Sequence, residues 1–276
     1  EKVTAGTKVL IIGAGLIGLK CAEALHHLNA DITVVDLADR ILPSILDVRA
    51  GEIMQKHIED KGTKFILGTS VEQFSKNSAK LTNGDTVDFD ILVVAVGVRP
   101  NTELVSDAGG KVEKGIITDL HQQTTIDNVY AAGDCTVSHD CSSNTDRILA
   151  LLPNAFMQGE VAGKNMAGEE TLYLNAIPMN AIGFYGLHII TAGSYDGDED
   201  ITEDADKEIY KKLVFKDGLL KGFILMGDVA RAGIYTSMIK EQIPLTEVDL
   251  DLLREKPQMM MFGKARREEK LAGKKH

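Results

Sequence analysis

The sequence predicts an α/β fold built on a parallel sheet, followed by a smaller α+β domain. Two apolar runs, Val9 to Ile12 and Ile91 to Val96, are typical of strands that are buried on both faces. Between these runs, strand-like and helix-like segments alternate, which is the order that produces βαβ units. After Tyr173 the pattern changes to strands interrupted by glycine, a hairpin and a helix.

The first apolar run leads directly into a glycine-rich turn and then into a predicted helix. Gly13, Gly15 and Gly18 have the spacing GxGxxG. Gly13 would permit the tight turn, Gly15 would let the backbone approach a pyrophosphate, and Gly18 would let the helix pack close to the strand. The unpaired N–H groups at the positive end of this helix, near Leu16 and Ile17, would then face the phosphates.

The second strand ends in an acidic residue where dinucleotide binding requires one. Asp36 closes the segment DITVVD, eighteen residues after Gly18, and its carboxylate would accept hydrogen bonds from an adenosine ribose. A carboxylate there would repel a 2′-phosphate, so NAD(H) is favoured over NADP(H). Arg40 would complicate this preference by pairing with a phosphate, although a surface salt bridge or a helix-end contact explains it equally well. The sequence therefore predicts an NAD(H)-binding domain, a Rossmann-like parallel unit, in residues 1–99.

A helix and several short strands complete this domain. The helix is predicted from Asp47 to Lys61, with the apolar residues Val48, Ile53 and Ile58 on one side. Four strand-like segments follow it as an antiparallel meander, with a hairpin turn at Asn83-Gly84. The second apolar run ends at Gly97, at the carboxyl edge of the sheet where ligands bind, so Gly97 is a further candidate for NAD contact. Pro100 stops this strand and marks a domain boundary.

Composition and charge exclude several classes of function. The formal net charge of −11 would repel phosphates, so neither nucleic acid nor an anionic membrane is expected as a partner. No apolar run approaches the roughly 18 residues of a membrane span, and the N-terminus lacks a signal peptide, so a cytoplasmic protein is expected. The 3 cysteines form no CxxC and the histidines form no HExxH, so no metal site is predicted.

Five segments between Lys8 and about Gly168 carry motifs in a specific order. They are VLIIGAGLIGLKCAEAL, ITVVDLADRILP, VVAVGVRPNTEL, NVYAAGDC and LALLPNAFMQGEVAGKNMAG. Their order and spacing resemble the FAD-dependent pyridine nucleotide-disulfide oxidoreductase superfamily. The later segment GFILMGDVARAGIYTSMIKEQIPL is similar to its nitrite reductase, rubredoxin reductase and NADH oxidase-like branch. This resemblance implies an FAD domain interrupted by the NAD(H) domain, and then a C-terminal interface domain that forms a homodimer.

The resemblance assigns residues 100–172 to the returning part of the FAD domain. It implies that Asp134 accepts a hydrogen bond from the ribityl chain of the flavin, and that Gly133 permits the close approach. Asp134 would stand at the end of a strand predicted from Val129 to Ala132. From the residues alone, an aspartate after such a strand is more often the cap of a following helix, so both interpretations stay open.

A second flavin contact is implied at the start of the next helix, in the segment LLPNAFMQGEVAGKNMAG. In the family, the N-terminus of this helix points at the pyrimidine edge of the flavin. The helix dipole there stabilises the negative charge that develops on reduction. The candidate contacts are Pro153, Asn154 and Ala155, and Gln158 is one of the packing positions of the helix.

Two departures from the family pattern affect the expected activity. Lys20 stands where family members usually have a glutamate near the nicotinamide–flavin contact. The family's N-terminal FAD fingerprint does not occur in these 276 residues, and any redox-active cysteine would lie in that same segment. The chain is therefore expected to be a fragment, or one subunit of a split protein, that is inactive without the FAD segment.

Residues 173–276 are predicted to form the α+β interface domain. The acidic run YDGDEDITEDADKE is predicted to be a solvated loop. Asp217-Gly218 is predicted to be the turn of a hairpin, and ARAGIYTSMIKEQIPL to be a helix.

The leading prediction is an NADH-dependent FAD oxidoreductase that passes hydride from NADH to flavin and on to an unidentified small molecule or redox protein. Two alternatives remain open. One is a flavin-free NAD-dependent dehydrogenase that holds its substrate within residues 100–276, and the other is an NAD-binding subunit without turnover. No side-chain acid, base or nucleophile is assigned.

Overall fold

The computed structural model describes residues 3–272, which form two compact units. The first unit contains the chain up to Val98 together with two short later segments, Ala181–Ile189 and Asp204–Tyr210. The second unit contains Arg99–Asn180, Ile190–Glu203 and the chain from Lys211 onward.

The first unit is built on a parallel sheet and an antiparallel meander. Its elements are β1 (Lys8–Ile12), α1 (Leu16–His26), β2 (Asp31–Asp36), α2 (Val48–Glu59), β3 (Lys64–Leu67), β4 (Val71–Phe74), β5 (Ser78–Leu81), β6 (Thr86–Asp88) and β7 (Ile91–Val94). The parallel sheet has the strand order β3-β2-β1-β7, and the meander has the order β4-β5-β6. Gly84 takes a φ of +95° in the turn between β5 and β6, as the hairpin prediction requires. The predicted α/β fold with a meander is confirmed.

Two details of this unit differ from the sequence prediction. β3 was expected in the meander, but it pairs in parallel with β2, with Thr33 opposite Lys64. The reason is that α2 carries the chain back across the sheet, so the next strand runs in the same direction as β2. Val48 was expected on the apolar face of α2 but is exposed, whereas Met54 and Ile58 are fully buried.

The chain after Val98 forms two further sheets and the helices that accompany them. The elements are α3 (Glu103–Asp107), β8 (Ile116–Ile117), β9 (Thr136–Asp140), β10 (Thr145–Ile148), α4 (Leu152–Met166), β11 (Met179–Phe184), β12 (Leu187–Gly193), β13 (Asp198–Asp204), β14 (Ile209–Lys216), β15 (Leu219–Met226), α5 (Ala232–Lys240), α6 (Leu250–Glu255) and α7 (Lys264–Leu271). The sheets have the orders β10-β9-β8 and β11-β12-β15-β14-β13. Asp217 and Gly218 take φ values of +53° and +72°, which makes them the predicted hairpin turn.

The acidic run was predicted to be a solvated loop. Most of its side chains are exposed, but Asp198–Asp204 form β13, an edge strand of the five-stranded sheet, so the loop assignment was wrong for this part of the run. Cations from distant parts of the chain compensate its carboxylates. Lys212, which is 5% exposed at its side chain, pairs with Glu199, and Arg254 Nε lies 2.7 Å from Asp200. Charged side chains on an edge strand also discourage pairing with another chain.

Candidate functional site

The three glycines of the first turn have different surroundings. Gly13 has a φ of +112°, and a Cβ atom added to it would lie 2.3 Å from the carbonyl oxygen of Ala95. A Cβ atom on Gly18 would lie 1.9 Å from the carbonyl oxygen of Gly13. At Gly15, by contrast, an added Cβ atom would have no neighbour within 4 Å. Packing of the protein itself therefore requires glycine at two positions, while Gly15 leaves open space in front of the backbone that a bound group could fill.

The Asp36 carboxylate is fixed against this turn. Its Oδ2 atom accepts a hydrogen bond from the N–H of Ala14 at 2.6 Å, and its Oδ1 atom accepts one from the N–H of Ala38 at 2.8 Å. Each carboxylate oxygen can accept more than one hydrogen bond. The side chain is half-buried at the end of β2, so it is rigidly placed and still able to accept hydroxyl donors from a ligand.

The remaining predicted NAD contacts lie at the same edge of the sheet. Helix α1 begins at Leu16, and no side chain caps its N-terminus, so its first N–H groups are available to a ligand. Ile17 is exposed on this first turn. Gly97 takes a φ of +101° after β7, and Val98 beside it is 82% exposed. The structure thus brings the glycine turn, Asp36 and the end of β7 to one edge of the sheet.

Lys20 has partners in the first unit and is not a free cation. Its Nζ atom donates to the carbonyl oxygen of Gly183 at 2.6 Å and to Oε2 of Glu23 at 2.5 Å. These contacts show that Lys20 is held on α1 by protein partners, one of which lies far away in the sequence.

The segment around Asp134 does not have the predicted backbone. Val129 to Ala132 do not form a strand, and only an isolated bridge joins Tyr130 to Gln123. A strand needs a hydrogen-bonded neighbour, and no described residues supply a continuous one here. The alternative of a helix cap is also wrong, because Asp134 lies in a turn that leads into β9. The Asp134 side chain is exposed and has no hydrogen bond with residues 3–272.

Gln158 holds the Asp134 turn against α4. It is 1% exposed, and its Oε1 atom accepts from the Gly133 N–H at 2.5 Å and from the Thr136 hydroxyl at 3.3 Å. Its Nε2 atom donates to the Ser138 hydroxyl at 2.7 Å. A Cβ atom on Gly133 would lie 3.6 Å from the Cβ of Ala155, so the start of the helix and the turn are adjacent. In the sequence, Gln158 stood out only as a helix packing position.

Replacing Gln158 by leucine is expected to lower the free energy of unfolding by about 1–3 kcal/mol, because the half-buried Gly133 N–H and the Ser138 hydroxyl lose their partner. The Thr136 hydroxyl keeps its bond to the Gly133 carbonyl at 2.8 Å. Urea denaturation measures this difference. The matched control is Gln55→Leu on α2, where the amide bonds only Glu59 at the surface, and there the expected change is below about 0.5 kcal/mol. Equal effects of the two substitutions would contradict the positioning role of Gln158.

The predicted contacts at the start of α4 divide into a buried and an exposed group. Asn154 is 0% exposed, and its Nδ2 atom donates to the Ile177 carbonyl at 3.1 Å, while its Oδ1 atom accepts from the Tyr173 hydroxyl at 2.9 Å. Burial raises the pKa of Tyr173 to about 12, so the phenol donates this bond at neutral pH. The Asn154 side chain therefore secures the helix, whereas Pro153 is exposed, Ala155 is half-buried, and no side chain caps the helix.

Two kinds of site are absent from the described part of the chain. Within residues 3–272, no three His, Cys, Asp or Glu side chains are grouped so that they could hold a metal ion. No helix in the same range has both the length and the apolar character needed to cross a membrane.

Comparisons with known proteins match most of the chain. A family model described as pyridine nucleotide-disulphide oxidoreductase matches residues 1–159, and one described as rubredoxin NAD+ reductase C-terminal domain matches residues 178–243. The epsilon subunit of NADH-dependent phenylglyoxylate dehydrogenase from Aromatoleum evansii is 32% identical over 250 residues, covering 87% of this chain and 59% of that protein. Rubredoxin-NAD(+) reductase from Acinetobacter baylyi is 30% identical over 254 residues, covering 89% of this chain and 61% of that protein.

Solved structures of other proteins have the same fold as most of this chain. In the covalent complex of putidaredoxin reductase with putidaredoxin, the matching chain has a TM-score of 0.83 and 21% identity, covering 92% of this chain and 62% of that chain. At this identity the similarity shows the fold alone. The chain thus spans about 60% of the length of this structure and of the two relatives above.

Proposed function

The chain belongs to the pyridine nucleotide-disulphide oxidoreductase family, and we propose that it is the NADH-binding part of an FAD-dependent oxidoreductase. Proteins of this family use FAD and NAD(P)H in oxidation and reduction. The observation that carries the proposal is the contrast at the glycine turn. Gly13 and Gly18 are packed against backbone, whereas Gly15 faces open space at an uncapped helix end. That combination suits a pyrophosphate, which needs close backbone approach and free N–H donors.

The fixed carboxylate of Asp36 supports NADH as the nucleotide. Because Ala14 and Ala38 hold both carboxylate oxygens in place, the side chain is pre-organised to accept hydrogen bonds from ribose hydroxyls. A 2′-phosphate at that position would meet a like charge. The arrangement therefore favours NADH over NADPH.

The Asp134 turn and the start of α4 support FAD as the second cofactor. Asp134 is exposed and without a protein partner in the described residues, so its carboxylate is available to the hydroxyls of a ribityl chain. Gln158 and the Asn154 side chain keep the turn and the helix in position. The flavin would then be contacted by Asp134, by Pro153 and by backbone at Gly133 and Ala155, rather than by the amide of Asn154.

The residues of this chain bind and orient, while the chemistry belongs to the cofactors: when bound, NADH supplies a hydride and FAD accepts it. Lys20 is tied to Gly183 and Glu23, so we assign it no part in proton or hydride transfer. We propose a small molecule or a redox protein as the electron acceptor, since the names of the relatives include rubredoxin and putidaredoxin reductases. A homodimer, a cytoplasmic location and the domain limits 1–99, 100–172 and 173–276 stay predictions.

Calorimetric titration of the chain with each cofactor tests the proposal. We expect NADH to bind with a dissociation constant of roughly 1 μM to 1 mM, the range of typical KM values. We expect FAD to bind weakly or not at all. Tight FAD binding without NADH binding would overturn the assignment of the two sites. In a preparation that also contains the FAD segment, we expect the visible absorbance of a bound flavin, from the chromophore of the cofactor. A colourless preparation that binds NADH would instead favour the flavin-free dehydrogenase or the NAD-binding subunit.

A further inference from the structure

The second unit contains a pocket lined by its own residues. It has a volume of about 540 Å³, within the range of roughly 300–1,000 Å³ found for small-molecule sites. Leu120, Cys141 and Leu174 line it with apolar surface, and Lys240 at the end of α5 lines it with a charge. We call it the Lys240 pocket. None of its lining residues belongs to the glycine turn, the Asp134 turn or α4.

Lys240 is the uncompensated charge of this pocket. Its ammonium group has no hydrogen bond or ion pair with any residue in the range 3–272. The acid beside it, Glu241, is already neutralised, because Lys270 Nζ lies 2.8 Å from both of its carboxylate oxygens. Burial alone would raise the pKa of Glu241, but hydrogen bonds from Lys270 and Ser237 hold it below its usual value. Glu241 is therefore committed to Lys270 and leaves Lys240 without an anion.

The other polar groups of the pocket are either paired or neutral. Arg266 is bound to Glu247 at 2.8 Å, and His139 Nδ1 lies 3.0 Å from Asp146. The amide of Asn175 has no hydrogen bond within the described residues and is exposed at the pocket. The pocket thus offers an ammonium group and a free amide as hydrogen-bond donors.

The thiol of Cys141 belongs to the apolar surface of the pocket. The residue is buried, and this burial, together with the neighbouring Asp140, raises the pKa of the thiol above its usual value. A protonated buried thiol behaves as a small hydrophobic group and is a poor nucleophile. The pocket therefore has the character of a binding site and not of a second reaction centre.

We propose that the Lys240 pocket binds a small amphipathic anion, a carboxylate or phosphate group carried on an apolar chain. The anionic group would be bound by Lys240 and Asn175, and the apolar chain would cover Leu120 and Leu174, which are exposed leucines. A half-buried lysine that faces a cavity without a partner gains more from an anion than a fully solvated lysine does, because the lower local dielectric strengthens the attraction. The formal net charge of the chain is −11, which by itself would repel an anion. The attraction therefore comes from Lys240 at the pocket and not from the charge of the chain as a whole.

Isothermal titration calorimetry with octanoate, octanol and octylamine tests the proposal. Octanoate is expected to bind up to about fivefold more tightly than octanol, since a partly exposed ion pair contributes up to this factor. Octylamine is expected to bind more weakly than either, because its ammonium group repels Lys240. Equal affinities for octanoate and octanol would overturn the assignment of Lys240 as the anion contact.

Variants separate this pocket from general surface effects. Lys240→Met is expected to weaken octanoate binding about fivefold and to leave octanol binding unchanged. Lys256→Met is the matched control, because Lys256 is an exposed lysine of the same unit that does not line the pocket. Equal losses in the two lysine variants would overturn the proposal.

Leu174→Ser tests the contact with the apolar part of the ligand. It is expected to weaken the binding of octanoate and of octanol alike, since it removes apolar contact surface from an exposed position. Unchanged binding would overturn the assignment of Leu174 as a contact of the ligand's apolar chain.

Two further titrations define the chemistry and the independence of the site. Hexyl phosphate binding more tightly than octanoate would assign phosphate as the preferred group, and the reverse order would assign carboxylate. If neither anion binds, the proposal is wrong. NADH affinity is expected to be the same with and without octanoate, so the proposal for the pocket and the proposal for the nucleotide site fail independently.

Discussion

Replacing Gly15 by valine is expected to lower the affinity for NADH by about 100-fold while the chain stays folded. The backbone at Gly15 is extended, with φ −83° and ψ −174°, which valine adopts without strain. Its side chain would enter the open space in front of the turn, where we propose that the pyrophosphate of NADH approaches the backbone. A 100-fold loss corresponds to about 2.7 kcal/mol, within the usual cost of about 1–3 kcal/mol for overpacking a contact. Calorimetric titration with NADH measures the change.

Gly18→Ala provides the contrasting variant for this experiment. Its Cβ atom would lie 1.9 Å from the carbonyl oxygen of Gly13, so the backbone of the turn must shift. We expect the free energy of unfolding to fall by at least about 3 kcal/mol, as measured by urea denaturation. Gly15→Val should leave that free energy nearly unchanged. If Gly15→Val also unfolds the chain, the open space has been misassigned, and if it binds NADH normally, the pyrophosphate does not lie at this turn.

Removing the Asp36 side chain is expected to lower NADH affinity by about 10- to 100-fold. Asp36→Ala removes the partners of the Ala14 and Ala38 N–H groups together with the acceptor for the ribose. Hydrogen bonds to a charged group contribute about 1.5–3 kcal/mol, which corresponds to this range of affinities. Calorimetry with NADH and NADPH on the same preparations measures both the loss and the change in preference.

Asp36→Asn separates the role of charge from that of shape. The amide keeps one acceptor oxygen, but it loses the negative charge and the acceptor for one of the Ala14 and Ala38 N–H groups. The overall affinity is therefore expected to fall, and the preference for NADH over NADPH is expected to narrow more than that. Asp39→Asn is the control, because Asp39 is exposed and, within residues 3–272, pairs only with Arg40 at 3.3 Å. The charge argument would be refuted by an unchanged NADH preference in Asp36→Asn, or by an equal change in Asp39→Asn.

The geometry of the glycine turn was predictable from the sequence because its requirements are local. The spacing of Gly13, Gly15 and Gly18 determines a turn within six residues, and the positive φ of Gly13 is confirmed. Asp36 follows at the end of the next strand, and parallel strands bring their carboxyl ends to one edge of a sheet. The α/β fold and the relationship to a family of oxidoreductases followed from the same short motifs and are confirmed.

The backbone around Asp134 and in the acidic run was predicted less accurately because it depends on partners that are far apart in the chain. A strand was expected at Val129 to Ala132, but pairing partners decide whether an extended segment becomes a strand. The acidic run was expected to be a loop, yet β13 forms where Lys212 and Arg254 supply compensating charges. Charge density along a segment does not reveal which cations the fold will place beside it.

By itself, the sequence determined the fold class, the family, the glycine turn and the identity of Asp36 and Asp134 as candidate cofactor contacts. Only the tertiary structure decided how the side chains are used. The Asn154 amide is hydrogen-bonded to Ile177 and Tyr173, and Gln158 holds the Asp134 turn. Lys240 lines a pocket and has no partner among the described residues. The physical reason is that backbone conformation depends on neighbouring residues, whereas the hydrogen-bond and charge partners of a side chain are set by segments that folding brings together from distant positions.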